Sequence, residues 1–430
     1  MDRLKTVSLY IFLGLLAYMP LHILLSTWVG TSFGVLEFAK VAKDIFLVIG
    51  FVLALVTTTR QHFATLIRNR LVQLILAYGL LTLALAIIKP TDQDAELLGL
   101  VYNTRFLVFF GYGLLLTAHY RAEWLLKRSV QVVLAVSVPV MLFGILQYTV
   151  LSETALGALG YSRENGVLPA FAIDDKPDLE RIMASLRDPN SYGSYLIIIG
   201  ALAGSFLAFT KKPELRKITM GILALTVINL LMTFSRSAWI GFALAAGVVL
   251  CSSPARVAVN RLVIKYFWVL IIGLLIVLGG VFVARDSYLV QNIVFHADES
   301  TSLEDPNELR LKFIEESVSD IAANPGGYGP GTAGLASIRN DDRTVLNENY
   351  YFQIAHEVGL LGLILFLTIL ALIALALIKS GVNIYSVALL ASLAGLLFTN
   401  LLVHIWSNEA VAYTWWGLAS LAYAKTYKKD

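Results

Sequence analysis

Between Leu360 and Ile378 the chain runs for nineteen residues without a charge, and Thr368 is the single hydroxyl among them. A stretch of about 20 apolar residues is what an α-helix needs to cross some 30 Å of hydrocarbon. No water is available there, so the backbone must satisfy its own hydrogen bonds, which selects the helix. The uncharged stretch Ile218–Phe234 has the same character. Composition agrees: 57% of the 430 residues are hydrophobic and 15% are charged. A soluble chain of this length needs more polar surface to cover its core.

Runs of this kind predict an all-α polytopic membrane protein of about 12 transmembrane helices, as a single integral membrane domain over 1–430. They fall near 6–28, 33–56, 71–88, 98–118, 129–151, 191–210, 218–234, 238–253, 264–284, 351–378, 384–404 and 410–424. The segment Met1–Lys5 precedes a run too long for a signal-peptide core, with no small-residue cleavage site after it, so a retained first helix is expected. Orientation follows from the basic residues in short loops. With the N-terminus cytoplasmic, 19 Lys and Arg fall on the inner side and only Lys89 and Arg236 in the short outer loops. Both termini are then cytoplasmic, and two long loops, 152–190 and 285–350, lie outside. The net charge of +3 does not point to nucleic acid, because it resides in these short loops. The single Cys251 excludes an internal disulfide and a cysteine metal site.

The outer loops carry the residues of interest. In Arg187-Asp188-Pro189-Asn190, Asp188 or Asn190 can cap the sixth span, with Pro189 in its first turn. Arg187 then stands at the outer interface. Arg236, in Ser235-Arg236-Ser237, breaks the charge trend and sits where apolar helices meet. Such a charge either faces a cavity or snorkels to the interface beside Trp239. In the second loop a surface helix begins at Asp305-Pro306-Asn307. Leu309, Phe313, Ile314, Val318 and Ile321 recur at helical spacing, forming an apolar stripe against membrane or bundle. Arg310 lies off that stripe. The helix stops at Asn324-Pro325, and the glycine-rich Gly326–Gly331 turn is either a ligand contact or a hinge. The loop closes with Glu348-Asn349-Tyr350 at the mouth of the next span. Glu37, Lys40, Lys43 and Asp44 in the second span and Arg105 in the fourth are intramembrane charges. They either line a polar site or form an ion-pair network, with Lys40 and Asp44 at pairing distance in sequence. His22, His356 and His404 read as helix-packing hydrogen bonders.

Taken in order, Arg187-Asp188-Pro189-Asn190, Ser235-Arg236-Ser237, Arg310, Asn324-Pro325 with Gly329-Pro330-Gly331, and Asn349-Tyr350 with Glu357-Val358-Gly359-Leu360-Leu361-Gly362 resemble the O-antigen ligase/polymerase superfamily of bacterial membrane glycosyltransferases. The resemblance runs from about 183 to 365. It implies a GT-C-like fold in the inner membrane with a periplasmic active site. It implies a donor glycan on undecaprenyl pyrophosphate, a glycan or lipid-linked acceptor, and inverting transfer without metal or cofactor. Membrane lipid is a partner, and a chain-length regulator protein is a further candidate. A diphosphate leaving group calls for fixed cations, and arginine matches its oxygens bidentately. Glu348, Arg236 and Arg310 are then the catalytic candidates. Arg187, Asn190, Ser235, Asn349, Tyr350, Arg105 and Lys43 are the candidate substrate-binding residues.

Ligases of the superfamily place a histidine just before the asparagine of the last motif; here that position is Glu348. An acid there resembles the polymerase branch. Glu348 can take the acceptor's proton, orient its hydroxyl, or simply favour the dipole of the helix it precedes. Polymerisation of lipid-linked repeat units is the expected activity. The alternatives are ligation of the glycan to lipid A core or protein, and translocation of a lipid-linked glycan without chemistry.

Overall fold

A computed structural model describes every residue except 152, 174–175, 253–305, 342–343, 346 and 428–430. Helices α1 (Asp2–Tyr18) and α2 (His22–Phe33) form one long apolar unit, broken at Met19–Leu21 where Pro20 cannot donate to the helical ladder. Then follow α3 (Leu36–Thr57), α4 (Arg60–Arg68), α5 (Arg70–Ile88), α6 (Gln93–Leu116), α7 (Ala122–Thr149) and the short α8 (Glu153–Ala158). Next come α9 (Pro189–Phe209), α10 (Pro213–Met232), α11 (Arg236–Ser252) and the loop helix α12 (Pro306–Ala323). The chain ends with α13 (Tyr350–Glu357), α14 (Gly359–Lys379), α15 (Ile384–Thr399) and α16 (Glu409–Tyr427).

Among the described residues seven helical units are long and apolar enough to cross a membrane: α1 with α2, α5, α6, α7, α9, α10 and α14. The pair α3 and α4, bent by 112°, makes an eighth, and α11 and α15 are shorter apolar helices. The chain is therefore a multi-pass membrane protein. The expected span at 264–284 lies outside the described residues.

Two boundaries differ from the sequence expectation. The run 351–378 is not one helix: it breaks at Val358–Gly359, where Gly359 has φ +77° and its Cα backs onto the Gly326 carbonyl. The run 384–404 stops at Thr399, and residues 400–408 are irregular apart from one 3-10 turn, Ile405–Ser407. The chain is mostly helical, as expected, and the first long loop adds one short antiparallel hairpin that the sequence did not announce, β1 (Phe171–Ile173) and β2 (Lys176–Arg181). A segment outside the bundle has no helix to satisfy its backbone, and pairing Phe171 with Arg181 and Ala172 with Glu180 does so.

The last helix is the axis of the bundle. Residues 410–424 of α16 are buried throughout, packed against α6, α7, α9 and α14. Its Ala410, Ala412, Gly417, Ala419 and Ala422 let neighbours approach closely, which is how helices associate without a hydrophobic drive from water. Trp406, Trp415 and Trp416 form a buried aromatic cluster with ring centroids 5.3–5.7 Å apart.

Candidate functional site

The two long loops meet the helix ends at one end of the bundle. Residues 182–186 form a buried strap there. Gln147, inside α7, accepts hydrogen bonds through Oε1 from the backbone N–H of Met183 (3.1 Å) and Ala184 (2.9 Å). Ser185 Oγ donates to the Pro20 carbonyl at 2.6 Å. Ala184 is held at φ +49°, an unfavourable region for a residue with a Cβ, so these contacts over-determine the path of the strap. It delivers Arg187 to the mouth of a cavity. Asp188 then caps α9, accepting from Ser191 N (2.9 Å) and Ser191 Oγ (2.6 Å), with Pro189 as the first helical residue, as the motif predicted.

Asn190 and Ser235 have a different place from Arg187. Asn190 Oδ1 accepts from Ser235 Oγ (2.9 Å) and from Arg181 Nη2 (3.0 Å), while Arg181 Nε donates to the Thr233 carbonyl (3.0 Å). These bonds clasp the 233–235 turn, where Phe234 sits at φ +47°. Arg236 follows as the first residue of α11, half-buried and outside the cavity lining. Arg310 lies on α12 in a stretch whose side chains are outside the described set.

The cavity has a volume of about 270 Å³. Its walls come from α6 (Tyr102), the first loop (Leu168, Phe171, Arg187, Asp188) and the 403–409 segment (His404, Ser407, Asn408, Glu409). Arg187 is the cation of the lining, beside the carboxylates of Asp188 and Glu409. Burial holds the His404 imidazole below the ordinary histidine range; Asp188 and Glu348 act against this and Arg187 with it. Its Nδ1 is enclosed and has no partner.

Beneath the cavity lies an ion-pair network. Arg105 Nη1 donates to Glu409 Oε1 at 2.9 Å, and Arg105 Nη2 makes a short bond to the Ser407 carbonyl. Lys43 Nζ lies 3.6 Å from Glu409 Oε1 and 3.2 Å from Asp44 Oδ2. Tyr413 donates to Asp44 at 3.4 Å. The expected Lys40–Asp44 pair does not form: Lys40 pairs with Glu37 at 2.9 Å, because Asp44 turns inward to Lys43. Arg105 and Lys43 are thus 4% and 6% exposed and reach the cavity through Glu409 rather than directly.

The charge of Glu348 also reaches His404. Glu348 is exposed, on the rim of a narrow slot of about 50 Å³ lined by Phe313, Ile314, Asn347, Phe352 and Leu401. Asn347 is 2% exposed and neither atom of its side-chain amide has a partner. Asn349 caps α13, accepting from Tyr351 N (2.9 Å) and Phe352 N (3.2 Å). Tyr350 is fully buried against Phe366 and lines neither the cavity nor the slot. The glycine-rich turn is a clasp. Glu357 accepts from Gly331 N (2.8 Å), Ala333 N (3.3 Å) and Asn103 Nδ2 (2.7 Å), and Tyr328 N and Gly329 N bond the carbonyls of His356 and Glu357. These N–H groups are spent internally and do not await a ligand.

Residues 221–367 match the family model described as O-antigen ligase. The match supports the superfamily resemblance read from the sequence. It covers about a third of the chain and includes the 233–235 clasp, α12, Glu348 and the Glu357 anchor. No curated protein matches the chain. Most of the cavity wall lies outside the O-antigen ligase segment. Tyr102 and the His404–Glu409 stretch lie outside it on either side, some 300 residues apart in sequence, and folding alone brings them together. Reading the sequence took His404 for a packing residue, as it did His22 and His356. His22 indeed contacts Tyr18, at 3.2 Å, and His356 stacks on Tyr328 with ring centroids 4.5 Å apart. The one signal for the others was an acid, Glu409, at the head of an otherwise uncharged helical run.

Proposed function

We propose that the chain polymerises undecaprenyl-pyrophosphate-linked oligosaccharide repeat units by inverting glycosyl transfer, at the periplasmic end of the bundle in the bacterial inner membrane. The observation that carries this reading is a cavity lined by Arg187 whose wall residue His404 also feels the charge of Glu348, on the rim of a separate slot. In this reading the donor diphosphate lies at Arg187, and Arg236 and Arg310 supply further positive charge from the heads of α11 and α12. The acceptor hydroxyl enters from the Glu348 side, where the unpartnered amide of Asn347 offers it a hydrogen bond. The hydroxyl oxygen attacks the anomeric carbon. The bond from that carbon to the diphosphate breaks with its electron pair leaving on the diphosphate, the configuration inverts, and Glu348 orients the hydroxyl or takes its proton. Cations fixed where this charge develops cost no reorganisation during the reaction.

Removing one such group typically costs about 10²–10³ in rate. Arg187→Ala should therefore abolish long glycan chains in cells while the protein remains inserted, with Arg187→Lys partly active. Normal chain-length ladders in Arg187→Ala would defeat the proposal. The description of the matched family favours a second reading, ligation to lipid A core. In that case the same variant loses capped lipid A and leaves polymer on its carrier.

A further inference from the structure

We propose that the cavity floor at Ser407 and Glu409 is a sugar subsite, holding the donor sugar bonded directly to the diphosphate. The inference rests on the glycosyltransferase reading and adds what selects its donor. Glu409 lines the cavity, and both of its cations engage the same oxygen: Arg105 at 2.9 Å and Lys43 at 3.6 Å from Oε1. The floor is thus electrically balanced, two cations against Glu409 and Asp44, and Arg187 lines the cavity apart from this network. A carboxylate in such a place repels phosphate oxygens and accepts hydroxyl donors.

A second observation is independent of the charges. Ser407 is 4% exposed, lines the cavity, and its Oγ has no partner. A buried hydroxyl left unpaired is costly, and a ligand hydroxyl removes the cost. The Tyr102 ring, with the Arg105 guanidinium 4.7 Å from its centroid, adds a flat wall of the kind a sugar ring packs against. The volume of about 270 Å³ falls just below the range of about 300–1,000 Å³ typical of small-molecule sites, enough for one sugar residue rather than a chain. A site that pairs its buried polar groups with substrate hydroxyls rejects sugars that lack them.

The test is binding to the purified full-length chain in nanodiscs. The probes are farnesyl diphosphate alone and farnesyl diphosphate bearing N-acetylglucosamine, glucose or galactose. Wild type should bind at least one sugar-bearing probe about three- to ten-fold more tightly than the bare diphosphate, the size of one or two hydrogen bonds. Ser407→Ala should lose that increment and bind the bare diphosphate as wild type does. Its hydroxyl makes no internal bond, so the fold is not at risk. Glu409→Gln leaves Arg105 and Lys43 short of a charge, and its thermal unfolding is measured alongside. Equal binding of bare and sugar-bearing probes by wild type, or an undiminished increment in Ser407→Ala, overturns the subsite. Arg187→Ala tests the diphosphate reading separately: unchanged bare-diphosphate binding in that variant overturns the clamp, whatever becomes of the sugar increment.

Discussion

The imidazole of His404 stands where the charges of Arg187, Asp188 and Glu348 meet. Burial disfavours its charged form and holds its titration below the ordinary value of about 6.5, so it is neutral at pH 7. The neighbours' signs give a directional prediction. Glu348→Gln removes a negative charge that favours the imidazolium, so His404 should titrate at lower pH. Arg187→Gln removes a positive charge that disfavours it, so His404 should titrate at higher pH. Ring-labelled histidine NMR in micelles, with the resonance assigned by its loss in His404→Gln, measures both. Shifts of the opposite sign would contradict the placement of His404 within reach of both charges. At this scale the sequence was half legible. Arg187 announced itself through its position beside a helix cap, a local pattern. His404, Ser407 and Glu409 did not, because what makes them a site is the cavity they share with Tyr102, some 300 residues away in sequence.

The elements are fixed by a few close contacts that carry no catalytic residue. The glycine-rich turn after α12 lies against α6 so tightly that a Cβ on Gly99 would fall 2.1 Å from the Gly331 backbone nitrogen. Neither side of that contact is a side chain that can swing away. Gly99→Ala should therefore cost about 1–3 kcal/mol, as overpacking does, and lower the melting temperature seen by tryptophan fluorescence. Gly79→Ala, on α5 with nothing within 4 Å of the added methyl, is the control and should be neutral or slightly stabilising. Equal effects would mean that the turn is not seated on α6. Helix starts were readable where a cap had a chemical signature, as at Asp188. The break before Gly359 was not, since Tyr351–Ile378 is apolar enough to read as one helix and only the packing of Gly359 onto the Gly326 carbonyl interrupts it. Lys40 was misassigned to Asp44 for a related reason: spacing of three or four permits two pairings, and the inward cations decided between them.

At the scale of the molecule, apolar periodicity told of a helical membrane bundle, because hydrocarbon leaves the backbone no other choice. It could not tell that the last helix is the axis of that bundle, since α16 reads like any other span until its small residues and its two tryptophans, with Trp406 just before them, are seen buried together. Nor could it tell that α12 keeps Ile314 and Val318 exposed, with Phe313 turned to the Glu348 slot. That apolar edge, beside the slot, suits an acceptor presented from the membrane surface. The proposed function makes one central claim: glycan leaves a lipid diphosphate at Arg187 and joins an acceptor that enters past Glu348. The most direct test is incubation of the purified protein with a synthetic lipid-diphosphate-linked repeat unit, with and without a lipid A acceptor, followed by gel and mass analysis of the glycan. The account predicts a ladder of products longer by whole repeats, formed without lipid A and absent with Arg187→Ala. Translocation without a new glycosidic bond, or an undiminished ladder from Arg187→Ala, would contradict it.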